Sequence, residues 1–118
     1  MHLRLRAHTG ILAAVLNTAI SVALVTLGGA AGKDIQALVK DLIKKYGKKH
    51  AKILIVQKVT SAAVSKLVIL GIGKKVAVGI ANFITNCILN YADPGGQIAK
   101  YLDKKDGKLD GYISIKKD

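Results

Sequence analysis

Two stretches of this chain, residues 10–32 and residues 76–92, carry no charged side chain at all. A chain must hide such stretches in a protein core, place them in lipid, or remove them as a processing signal. Between them lies the opposite. Residues 33–75 hold eleven Lys against two Asp, a net charge of +9. Residues 1–32 add +2 and residues 76–118 add +1, so the overall +12 belongs to the middle of the chain. A length of 118 residues fits one domain, and 51% hydrophobic residues exclude a disordered basic tail.

The basic block begins with the clearest periodicity in the sequence. Ile35, Leu38, Val39, Leu42, Ile43 and Tyr46 recur at the three-and-four spacing of one helical stripe. Lys33, Lys40, Lys44 and Lys45 fall off that stripe. Asp34 sits where the helix dipole favours a negative charge, and Lys44 and Lys45 where it favours positive ones. Asp41, four residues before Lys45, is placed for a helical ion pair. Gly47 fits a left-handed position ending the helix. Lys48, Lys49, His50 and Lys52 follow at once.

For residues 10–32 three readings compete: a membrane span, a secretory signal with cleavage after Ala31, and a buried helix of a small bundle. Asn17, Thr18 and Ser21 favour the buried helix. In residues 50–70 a polar stripe at Gln57, Ser61 and Ser65, flanked by Lys58 and Lys66, argues for a largely apolar helix, while Val59, Val64, Val68 and Ile69 leave a local strand as the alternative. Gly71-Ile72-Gly73 breaks it. Residues 76–92 are again helical, with Asn82, Asn86 and Asn90 one turn apart. Asp93-Pro94 starts a last helix, to about Lys105, as N-cap and first helical residue, with Ile98, Tyr101 and Leu102 as its apolar side. The expected fold is all-α, a compact bundle of four or five helices. Its divisions are residues 1–9, a leader, tag or flexible N-terminus, residues 10–105, the helical domain, and residues 106–118, a polar tail that is mobile or a short hairpin.

Residues 29–49, GAAGKDIQALVKDLIKKYGKK, resemble the signature helix of circular bacteriocins of the enterocin type. The matching positions are Ala30, Ala31, Gly32, Lys33, Asp34, Ile35, Ala37, Lys40, Ile43, Lys44, Lys45, Gly47 and Lys48. Residues 13–27 are more loosely similar to the preceding helices of that family. The resemblance covers about the first half of the chain. It implies a saposin-like bundle that binds and permeabilises the membranes of competing Gram-positive bacteria, with a cationic patch for attachment and apolar helices for insertion. The chain is longer than that pattern, has charged polar ends and contains Cys87, so a linear relative fits better than a head-to-tail circle.

On this reading attachment falls to Lys40, Lys44, Lys45, Lys48, Lys49 and Lys52, since Lys near an anionic surface contributes about 1 kcal/mol each. Insertion falls to Ile11, Leu12, Val15, Leu16, Val22, Leu24, Val25 and Leu27 in the first uncharged stretch. In the second it falls to Val76, Val78, Ile80, Phe83, Ile84, Ile88 and Leu89. The expected partners are anionic bacterial membrane lipid, further copies in the membrane and an immunity protein; the expected location is outside the producing cell, at the target membrane. A nucleic-acid-binding role explains the charge equally well. It leaves the uncharged helices, the two Arg and the 4% aromatic content unexplained. A small integral membrane protein with spans at residues 11–27 and 76–92 is the other alternative.

No enzyme chemistry is expected. There is no Glu, Asp is concentrated towards the C-terminus, and no acid–base pair stands out. His2, His8, His50 and Cys87 show no metal-ligand spacing, and no cofactor is expected. Residues 106–114 look like part of a calcium loop but place Lys108 and Lys117 where oxygen ligands are needed, so coincidence is the reading. Gly71 to Lys75 lacks the leading glycine spacing of a phosphate loop. The lone Cys87, in an apolar run, reads as a small buried hydrophobe.

Overall fold

Leu12, Leu16, Ile20 and Leu24, one every four residues, are all buried on one side of helix α1 (Thr9–Thr26). The computed structural model describes residues 3–105 and 112–117, with side chains for residues 10–104. The uncharged first stretch is therefore a helix packed in protein, with α7 (Pro94–Lys105) as its most extensive neighbour. Among the described residues, no helix is long and apolar enough to cross a membrane.

Helix α2 (Ile35–Tyr46) buries Ile35, Leu38, Val39 and Leu42, with Ile43 and Tyr46 half-buried beside them, as the stripe predicts. Asp34 lies just outside as the N-cap, its Oδ1 accepting from the Ala37 N–H at 2.8 Å. Asp41 departs from expectation. It pairs with Lys33 at 3.0 Å rather than with Lys45. Lys33 lies before the cap, so its side chain can reach back over the first turns.

Residues 48–69 run on as α3 (Lys48–Leu54), a π-helical segment (Ile55–Thr60) and α4 (Ser61–Ile69). Ala51, Ile55, Val59, Ala63 and Leu67 are buried, again every fourth residue. In an α-helix that spacing overshoots the turn of about 3.6 residues by about 40° each time, so a row of five drifts further round the helix than the row of four in α1. The wider π turn makes the same spacing fall short of a turn, which brings the row back. The segment is fixed by a buried hydroxyl pair, Thr60 Oγ1 to Thr85 Oγ1 at 2.7 Å. Gln57, Ser61 and Ser65 form the expected exposed polar row.

The second uncharged stretch is not one helix. It divides at Ile80 (φ −102°, ψ 12°) into α5 (Lys74–Gly79) and α6 (Ala81–Asn90). Gly79 holds helical backbone weakly, and the break lets Ile80 point into the core. Asn82, Asn86 and Asn90 are exposed, and Asn90 Nδ2 donates to Asn86 Oδ1 at 2.7 Å.

Asp93 and Pro94 start α7 as their types predict. Asp93 Oδ1 accepts from the Gly96 N–H at 2.9 Å and from Asn17 Nδ2 at 2.6 Å, while Asn17 Oδ1 accepts from the Gly95 N–H at 2.7 Å. Asn17 thus uses both ends of its amide to hold the start of α7 against α1. Gly95 must be glycine, because a Cβ there would collide with the Ala13 carbonyl oxygen.

The architecture is an all-α bundle with five rods: α1, α2, residues 48–69, α5 with α6, and α7. One two-stranded pair is added. Strand β1 (Leu3–His8) runs antiparallel to β2 (Tyr112–Lys117), with His8 opposite Tyr112. The segment read as a leader, tag or flexible terminus therefore meets the polar C-terminal segment. Residues 106–111, the start of the calcium-loop likeness, lie outside the described residues.

Gly95→Ala is expected to cost about 1–3 kcal/mol, the range for overpacking, while Gly79→Ala, whose added Cβ meets nothing within 4 Å, raises the melting temperature slightly. Thermal melts of the two variants check this.

Asp93 also gives the fold a pH dependence. The Asn17 amide and then the Gly96 N–H hold its carboxyl below the usual value of 3.8. A carboxyl depressed on folding stabilises the fold above its unfolded pKa of about 3.9 and loses that effect as pH falls through the folded value. Asp93→Ala should melt below the wild type at pH 6, and the gap should narrow as pH drops below about 4.

Candidate functional site: a lysine elbow and an apolar groove

The elbow between α2 and α3 is built by Gly47 (φ +84°), whose N–H bonds the Ile43 carbonyl at 2.8 Å and whose carbonyl accepts from the Ala51 N–H at 2.9 Å. A positive φ is needed here to start a new helix at once in a new direction, and glycine adopts it without penalty. Tyr46 anchors the elbow. Its Oη donates to the Leu27 carbonyl at 2.9 Å, and its ring stacks on His50 with centroids 5.5 Å apart. The elbow is thereby tied to the end of α1.

All six lysines expected to attach the chain are exposed on or beside this elbow. Lys44 and Lys45 occupy the last turn of α2, where the dipole favours them. Lys48 and Lys49 open α3, where it does not, and no side chain caps that end. Lys40 and Lys52 lie one turn further out on either side. Lys45 is partly held: its Nζ is 5.4 Å from the Tyr46 ring centroid and packs beside Gly28. Among the described residues none of the six forms an ion pair. The nearby acids are occupied, Asp34 by its cap and Asp41 by Lys33, whose bond holds the Asp41 carboxyl below its usual value. The result is a concentration of positive charge at a point where the C-terminal end of one helix dipole and the N-terminal end of the next offset each other, so the potential there comes from the lysines themselves.

The residues expected to insert are divided by the fold. Leu12, Leu16, Leu24, Ile80, Ile84 and Ile88 are core. Val15, Val25, Leu27, Val76, Phe83 and Leu89 are half-buried. Ile11 (66% exposed), Val22 (61%) and Val78 (53%) face outward.

One feature is not visible in the sequence. An open groove of about 1020 Å³ lies between the outward side of α1 and residues 58–69. Its α1 wall is Ala14, Thr18, Val22 and Thr26, spaced by four, and its other wall includes Ala62, Ile69, Lys58 and Lys66. The spacing of that α1 row was available in the sequence. It was hidden because the whole stretch, lacking charge, reads as core on every side.

Among the described residues no three His, Cys or Asp side chains group together as metal ligands. No protein-family model, curated protein or solved structure matches the chain.

Cys87 is fully buried on α6, and burial pushes its thiol up to about 11. A thiolate is the reactive form, so the folded chain should react with a thiol-specific disulfide at pH 8 at least roughly 100-fold more slowly than the denatured chain. Absorbance of the released thiol follows both rates.

Proposed function

We propose that this protein is a bacteriocin-like cationic antimicrobial protein, saposin-like in style, that binds and permeabilises bacterial membranes from outside the producing cell. The observation that carries the reading is the lysine elbow: six exposed lysines without ion-pair partners among the described residues, on a bundle whose helices α1 and α6 carry no charge. A single-sign cluster raises the self-repulsion of the fold, and an anionic lipid surface relieves it. Lys44 and Lys45 end one helix and Lys48 and Lys49 begin the next, so their ammonium groups can reach one surface together. Attachment would be followed by outward turning of the uncharged helices α1 and α6 and of α5, whose first turn carries Lys74 and Lys75. The breaks at Gly71 and Ile80 divide the bundle into pieces able to separate without unwinding every helix. The resemblance of residues 29–49 to the signature helix of circular bacteriocins supports the same reading; the expected partners are anionic membrane lipid, other copies within the membrane, and an immunity protein in the producer.

Binding of nucleic acid through the same lysines is the second reading, favoured by the net charge of +12 alone.

Dye release from vesicles separates the two. Vesicles containing phosphatidylglycerol should leak and purely zwitterionic ones should not. Replacing Lys44, Lys45, Lys48 and Lys49 with Gln removes about 1 kcal/mol each, so vesicle binding should weaken roughly 100-fold or more at low salt and less at high salt. Equal leakage from neutral vesicles would overturn the role of the lysine elbow, and no leakage with tight duplex DNA binding would sink the membrane reading.

A further inference from the structure

The groove between α1 and residues 58–69 has a chemistry of its own, apart from the lysine elbow. Its polar atoms on the α1 side are already satisfied. Thr18 Oγ1 donates to the Ala14 carbonyl and Thr26 Oγ1 to the Val22 carbonyl, each at 2.9 Å. Both threonines therefore spend their hydroxyl protons on the backbone. A ligand lying along that wall meets alanine, valine and threonine carbon. The charged side chains of the lining are Lys58 and Lys66; no Asp lines it, and neither lysine has an ion-pair partner among the described residues. The groove thus asks for a long apolar body with a negative group.

Its dimensions agree. From Ala14 to Leu27 the α1 wall is about 20 Å long at about 1.5 Å per residue. The hydrocarbon of one bilayer leaflet is about 15 Å deep, half of a core of about 30 Å. The volume of about 1020 Å³ is at the upper end of small-molecule sites. A second copy of this chain is a poor occupant, because each copy carries +12 and would bring further positive charge to Lys58 and Lys66.

We propose that this groove holds one acyl chain of an anionic phospholipid, with the headgroup phosphate drawn to the wall bearing Lys58 and Lys66. The proposal goes beyond membrane permeabilisation and is separable from it. A chain that never breached a bilayer would still bind lipid here, one molecule at a time.

The test is calorimetry and native mass spectrometry with palmitoyl lysophosphatidylglycerol kept below its micelle concentration. The wild type should bind it one-to-one and bind the matching lysophosphatidylcholine at least tenfold more weakly. Ala19→Trp, which fills the groove, should abolish binding. Val22→Glu, at a site 61% exposed and so harmless to the core, should weaken it at least tenfold by setting a carboxylate against the phosphate. Lys58→Gln with Lys66→Gln should erase the preference for the anionic lipid. The variant lacking the four elbow lysines should keep one-to-one binding while losing vesicle attachment, which separates failure here from failure of the permeabilisation reading. Helicity by circular dichroism confirms that each variant is folded. The proposal is overturned if the wild type does not bind, if folded Val22→Glu binds as tightly as wild type, or if sedimentation shows a dimer that Ala19→Trp dissolves.

Discussion

The bundle depends on the burial of α1. That helix has no charge with which to face water, so one side of it must be covered along its whole length. Leu12, Leu16, Ile20 and Leu24 supply the covered side, at about 1.5–3 kcal/mol for each fully buried side chain. The rest of the chain is fastened to this rod at two points. At Asn17 the amide bonds both Asp93 and the Gly95 N–H, which sets the start of α7 against α1. At Leu27 the last carbonyl accepts the Tyr46 hydroxyl, which sets the elbow of α2 and α3. An apolar helix with no polar feature could slide or rotate in a greasy core. These three directional bonds, at two points, remove that freedom.

Charge is displaced by the same logic. With α1 and α6 uncharged, the lysines of α2 and α3 gather at one elbow, and the local acids are spent on structure. Lys48 and Lys49 at the positive end of an uncapped helix work against the macrodipole. Natural sequences agree across levels of structure except where function demands otherwise, so a local rule broken twice in succession marks the elbow as the place to look for activity.

Much of this was legible in the sequence, and the losses have physical causes. The stripe of α2 and the Asp93-Pro94 start are local, set by spacing and caps within one or two turns. The Asp41 partner was misread because Lys33 and Lys45 are both within reach, and spacing alone does not weigh a flexible lysine outside the helix. The division at Ile80 left a trace in Gly79, but the benefit of burying Ile80 arises only in three dimensions. The π-helical segment left none: the buried row at Ala51, Ile55, Val59, Ala63 and Leu67 has the same spacing as the row that the unbroken helix α1 buries at Leu12, Leu16, Ile20 and Leu24. The Thr60–Thr85 pair links residues 25 apart, and nothing local announces it. The pairing of β1 with β2 is the extreme case, joining the two ends of the chain.

The division of apolar residues limits how any membrane action can begin. Six of the side chains assigned to insertion are core, and exposing them to water first would forfeit the burial that holds α1 in place. They can turn outward only where lipid replaces protein as the apolar surrounding. The apolar surface available beforehand includes the outward row of α1, with Val22 at its middle, and the facing wall at Ile69, 76% exposed. On the proposed reading the elbow therefore supplies approach and the groove supplies first contact with hydrocarbon. On that reading the bundle would open only after that contact, because an acyl chain held between α1 and residues 58–69 would offset the packing the two helices give up.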